Sequence, residues 1–130
     1  MKILVTVSMI IFYHSLVAQS AKTIERAPQN YLMALNSGNE SIVESAIFYS
    51  VKFKLFYEDQ DVQNLIAKLE KLAIDGPTNS IRYKAYLAAY YLNETTLMME
   101  IAKEDYKNAN QFFQMLGERL QEKLLADRTE

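Results

Sequence analysis

The residue types that most often carry enzyme chemistry are scarce in this chain. Its 130 residues hold one histidine, His14, and no cysteine. His14 stands inside an apolar run, Ile3–Val17, which follows the positive charge of Lys2 and leads to the small residues Ala18-Gln19-Ser20. That order is the layout of a secretory signal peptide over residues 1–20, with cleavage expected after Ser20 or Ala18. Ser8, His14 and Ser15 interrupt the run and no cationic flank follows closely, which favours a cleaved leader over a retained anchor. The expected mature chain therefore has no His, Cys or Trp. Thiolate nucleophiles, imidazole acid–base catalysis, Ser-His-Asp triads and Cys- or His-ligated metals are excluded on this reading. No catalytic residue, metal ligand or cofactor site is assigned, and an enzyme is not expected.

The remaining chemistry-bearing groups divide between recognition and plain structure. Glu58-Asp59-Gln60-Asp61 is acidic, but it lacks the alternating oxygen ligands, turn glycine and distal Glu of a calcium loop. Met98-Met99 and Met115 stand at helical spacing, where methionine usually fills a core. Arg82 and Lys84, with Lys52 and Lys54, could grip a carboxylate or phosphate; pairing with Glu44 and Glu58 is the favoured reading. Asn39-Glu40-Ser41 and Asn93-Glu94-Thr95 match the glycosylation triplet, although Asn39 is better placed as a helix cap. Tyrosine combines a large rigid area with a polar tip, so Tyr83, Tyr86, Tyr90 and Tyr91 suit recognition, although at least two of them are expected to pack between helices. Phe48, Val51, Leu55, Tyr83, Tyr86, Leu87 and Tyr90 form the expected partner-binding face, packing between neighbouring repeats being the competing fate of the same set. A net charge of −2 gives no attraction for nucleic acid or for a membrane surface after leader removal. Another protein or peptide is the expected partner.

These groups must be held by helices, because no segment alternates as a strand does. The spacing predicts a first helix from about Pro28 to Asn36, after a polar linker over Lys22–Ala27. Gly38 is expected to close it in a left-handed conformation, with Asn39 capping a second helix over about Glu40–Tyr57. Ile42, Ala46, Tyr49 and Phe53 form one apolar stripe of that second helix. A third helix is expected over about Asp61–Ile74, burying Val62, Leu65, Ile66, Leu69, Leu72 and Ala73. After Gly76-Pro77 comes a helix at Ser80–Leu92, apolar nearly all round, which is the mark of a rod packed on more than one side. Ile81, Ala85, Ala88 and Leu92 are its principal stripe. Further helices are expected over about Leu97–Tyr106 and Ala109–Ala126, the last with Phe112, Leu116, Leu120 and Leu124 at four-residue intervals.

Shifting the chain by about 39 residues lays the first helix pair on the second, a period in the range of helical solenoids. Asn39 meets Thr78, Ile42 meets Ile81, Ala46 meets Ala85, Phe48 meets Leu87, Ser50 meets Ala89 and Phe53 meets Leu92. Leu32-x-x-Leu35 with Asn39-x-x-Ile42-x-x-x-Ala46, and Leu69-x-x-Leu72 with Asn79-x-Ile81-Arg82-x-x-Ala85, resemble the HEAT-type helical repeats. Ile81-Arg82 is similar to the step that opens the second helix of such a repeat, whereas Val43 departs from it. The resemblance implies an all-α, short right-handed α-solenoid of about three antiparallel helix pairs (28–57, 61–92 and 97–126) in one domain over 21–127. It also implies a function of holding another molecule. The expected role is an exported, non-enzymatic binding or adaptor module. The alternative is a structural or homo-oligomerising subunit of an envelope assembly, associating through Phe113, Leu116 and Leu120.

Overall fold

The computed structural model describes residues 20–129, and residues 1–19 of the expected leader lie outside them. The described residues fold into six helices and no strand: α1 over 20–35, α2 Glu40–Phe56, α3 Gln63–Asp75, α4 Asn79–Asn93, α5 Thr95–Glu100 and α6 Ala109–Ala126. Side-chain caps fix several of the starts. Asn39 Oδ1 accepts from the Ser41 and Ile42 amides at 3.0 and 3.3 Å. Thr78 Oγ1 accepts from Ile81 N at 3.1 Å, and Asn108 Oδ1 accepts from Gln111 N at 3.1 Å. Each such cap stabilises its helix by about 1 kcal/mol. The third helix starts without a side-chain cap at Val62, and Asp61 Oδ1 takes the Gln63 amide instead at 2.9 Å. No described glycine has positive φ, so Gly38 does not close α1 in a left-handed turn as expected. The side-chain amide of Asn36 instead satisfies one carbonyl of the last turn, donating to Leu32 O at 2.8 Å.

Helix α4 is the hub of the fold, packing against α2, α3, α5 and α6. Its Ile81, Ala85, Ala88 and Leu92 are buried as the stripe predicts, and Leu87, Ala89 and Tyr91 are buried beside them. A rod with neighbours on several sides needs apolar residues on several sides, which is why its sequence carries no clean polar face. The short α3–α4 connection folds α3 back onto it, and Leu65, Ile66, Leu69 and Leu72 face inward from that side. Glu44, near the start of α2, accepts from Ser80 Oγ at 2.7 Å and from Lys84 Nζ at 3.3 Å, near the start of α4. At the other end, Leu55 and Leu92 line one cavity together. The second and fourth helices therefore run side by side in the same direction.

Positions about 39 residues apart mostly share an environment. Asn39 and Thr78 are both caps, and Ala46/Ala85, Phe48/Leu87, Ser50/Ala89 and Phe53/Leu92 are buried in both members. Ile42 departs: it is 47% exposed, whereas Ile81 is fully buried. Tyr49 is exposed as well, so the buried face of α2 is Val43, Ala46, Ile47, Ser50 and Val51 rather than the stripe through Ile42 and Tyr49.

Two further expectations about element length need correction. The first helix already includes residues 22–27, where a polar linker was expected. Ile24, Ala27, Tyr31 and Ala34 pack against the core at helical spacing, and that stripe carries the helix through Pro28. In the other direction α5 ends at Glu100, so 101–106 is not the helical arm expected of a third pair. Lys52 of α2 explains why. Its Nζ donates to Asp105 Oδ1 and to the Tyr106 carbonyl, both at 2.8 Å, holding that segment against α2. The Tyr106 ring lies 4.7 Å from that of Phe112. These long-range ties outweigh local helix propensity, which amounts to only a few tenths of a kcal/mol per residue.

Candidate functional site

The final helix seats itself by burying Phe112, Phe113, Leu116 and Leu120. Phe48 of α2 meets the rings of Phe112 and Phe113 at 5.5 and 6.4 Å. Tyr91 of α4 donates its hydroxyl to the Leu116 carbonyl at 2.9 Å, and burial pushes its phenol pKa up. Lys84 adds a third tie, donating to Asn110 Oδ1 at 2.9 Å while it pairs with Glu44. Phe113, Leu116 and Leu120, through which the sequence suggested self-association, are thus buried in the core of the single chain.

The same packing leaves a groove where the outer flank of α4 meets the C-terminal half of α6. It encloses about 330 Å³ and is walled by Tyr83, Tyr86, Leu124 and Leu125, with Leu87 and Leu120 at its base and Arg128 at its end. Its four wall residues are each between 48% and 55% exposed. Gly117 makes the groove possible, since a Cβ there would overlap the Tyr83 hydroxyl. The bare turn of α6 lets the phenol lie across it. Tyr86 and Tyr90 neighbour each other along α4, ring centroids 6.1 Å apart, so the aromatic surface continues beyond the groove.

Of the residues expected to face a partner, Tyr83 and Tyr86 are exposed and Tyr90 is half-buried. Phe48, Val51, Leu55 and Leu87 are buried in the core, the competing fate the sequence offered, and of these only Leu87 reaches the groove, from beneath. The physical reason is the central position of α4. Both flanks of α2 and α4 that carry apolar residues find neighbours, and α6 covers the flank holding Phe48 and Leu87. Leu124, expected as the last of the four-residue series in α6, completes the groove instead, together with Leu125. Their signal was available, because two adjacent leucines cannot both face the same helix neighbour.

The cationic residues do not make a patch. Lys84 is held by Glu44 and Asn110, and Lys52 by Asp105 and Tyr106. Lys54 donates to the Glu58 and Gln60 carbonyls, and Arg82 donates to the Gly76 carbonyl and Asn79 Oδ1. Hydrogen bonds to Ser80 and then to Lys84 hold the Glu44 carboxyl below its usual range. Lys107 and then Lys52 bring Asp105 down to about 2. These groups position α2, α4 and the 101–108 segment and leave the groove electrically quiet apart from Arg128. Among the described residues no group of three His, Cys, Asp or Glu gathers as a metal site would require, and no helix is long and apolar enough to cross a membrane.

The comparisons return nothing. No family model, curated protein or solved structure matches this chain. The site therefore stands on its geometry alone: an apolar trough with aromatic walls and one guanidinium at its end.

Proposed function

We propose that this chain is an exported, non-enzymatic stack of HEAT-like helical pairs whose α4/α6 groove holds a segment of another protein. The single observation that carries the binding reading is the groove itself. Tyr83, Tyr86, Leu124 and Leu125 stay half in water side by side over the buried Leu87 and Leu120. Such a continuous apolar surface, with Lys52, Lys54, Arg82 and Lys84 held by internal partners, favours recognition by shape and apolar contact. Its occupant is an amphipathic peptide or helix that lays apolar side chains into the trough and presents an acidic residue to Arg128. The solenoid reading draws support from the parallel run of α2 and α4 and from the shared caps at Asn39 and Thr78. Export rests on the leader, and either cut leaves the Ile24–Leu35 face of the first helix intact.

The test is selection of peptides from a random display library on the immobilised mature chain, followed by titration of a selected peptide. The reading expects affinity to fall by about tenfold or more in Tyr86→Ala and in Leu124→Asp. Both are surface positions, so the fold should survive either change. Failure to select any peptide, or peptides indifferent to both substitutions, contradicts it.

A further inference from the structure

A second concavity shares no lining residue with the α4/α6 groove and has a different chemistry. It lies where the C-terminal ends of α2 and α4 meet α5, and it encloses about 550 Å³. Leu55, Leu92, Met98 and Ile101 form its floor, all buried and without a polar group among them. The rim is charged: Lys54, Glu58 and Lys103 stand there. Two ammonium groups face one carboxylate, so the rim favours an anion. We propose that this cavity binds a small anionic amphiphile, a single acyl chain of about ten to twelve carbons with a carboxylate or phosphate head.

Size, floor and rim each limit the ligand. At about 30 Å³ for each water-sized group, the cavity has room for on the order of fifteen heavy atoms, which fits such a chain and is too small for a two-chain lipid. The floor offers nothing to a polar head, so the tail goes inward. Met98 can adapt to it, because an unbranched thioether side chain repacks readily, and the exposed Met99 at the rim gains an apolar neighbour. The head then meets Lys103. That lysine pairs with Glu58 across the mouth, and both side chains are more than half exposed. A surface pair of this kind contributes little, so an incoming anion can take the place of Glu58 at small cost. Lys54 uses two of its three donors on the Glu58 and Gln60 carbonyls, which leaves one for the ligand.

The probes are laurate, dodecyl phosphate, dodecanol and dodecyltrimethylammonium, each below its micellar concentration and titrated into the full mature chain. Calorimetry gives affinity, and the methyl resonances of Met98 and Met99 report location. Laurate or dodecyl phosphate should bind about tenfold tighter than the alcohol or the ammonium, and should shift the Met98 and Met99 signals. Which of the two acids binds tells a free fatty acid from a phosphate-headed source. Lys103→Gln should erase the preference without changing thermal stability, and Tyr83→Ala in the other groove should leave it untouched. The proposal is overturned by no binding of either acid at about 1 mM, by equal affinity for laurate and dodecanol, by an unchanged preference in Lys103→Gln, or by loss of binding in Tyr83→Ala.

Discussion

Glu44 and Lys84 form a charge pair whose two halves should respond unequally to removal. The Lys84 side chain is 11% exposed and that of Glu44 is 36% exposed, with 3.3 Å between Nζ and Oε2. In Glu44→Gln the lysine keeps Asn110 but loses its carboxylate while staying buried. A hydrogen bond to a charged group contributes about 1.5–3 kcal/mol, and the long distance and partial exposure place this one at or below the lower end, about 1–1.5 kcal/mol. In Lys84→Met the buried charge is gone and the stem is replaced by an apolar chain of similar length. Glu44 then keeps Ser80 at 2.7 Å and has water besides. Replacing a buried charge by a matched apolar group is neutral or stabilising, here by up to about 1 kcal/mol. At roughly 4 °C per kcal/mol, Glu44→Gln should lower Tm by about 4–6 °C and Lys84→Met should leave it level or raised. The double variant should match Lys84→Met. Thermal and urea unfolding of the four proteins close the cycle. Equal losses in the two single variants that simply add in the double would refute this account of how α2, α4 and α6 are tied.

Other expectations follow from single contacts. A Cβ on Gly76 would lie 2.5 Å from the Leu72 carbonyl oxygen, a backbone atom, so Gly76→Ala should lower stability by about 1 kcal/mol or more in urea unfolding. Gly117→Ala should behave in the opposite way. Helix propensity contributes up to about 1 kcal/mol, the half-exposed Tyr83 swings aside, and peptide affinity for the groove falls although the fold is no weaker. Asp105 is held at about 2, below its ordinary 3.8, by Lys107 and Lys52. Its folded value is the lower one, so the stability it contributes is present above the unfolded value and is lost as pH falls from about 4 towards 2. An NMR titration of its carboxyl should give a midpoint near 2, and a midpoint near 3.8 would contradict the tether on the 101–108 segment. Mass spectrometry of the exported chain should find a start at residue 19 or 21, and an intact leader would remove the case for export.

Helix positions were legible because local signals set them: Asn39, Thr78 and the Gly76-Pro77 break act within a few residues of themselves. The apolar character of residues 81–92 nearly all round the helix likewise announced a rod with neighbours on several sides. Faces were harder. Period alone could not say whether Ile42 or Val43 points inward, because adjacent apolar residues on one helix are resolved only by what packs there. Composition predicts helix through Tyr106, and the contacts that hold residues 101–106 otherwise come from Lys52, some fifty residues earlier in the chain. The binding face suffered from the same blindness. Tyr83 and Tyr86 kept their exposure, Phe48 and Leu87 lost theirs to α6, Val51 and Leu55 lost theirs elsewhere in the core, and nothing near Gly117 in sequence told that it would receive a phenol from α4.

Site-specific photocrosslinking in the producing cell tests the binding claim most directly. A photoreactive phenylalanine analogue at Tyr86 probes the groove, and the same group at Tyr49, an exposed tyrosine of α2, serves as control. The account predicts a discrete protein adduct at position 86 that is missing at 49 and disappears when Leu124→Asp is added. No adduct at 86, or the same adduct from both positions, would contradict it.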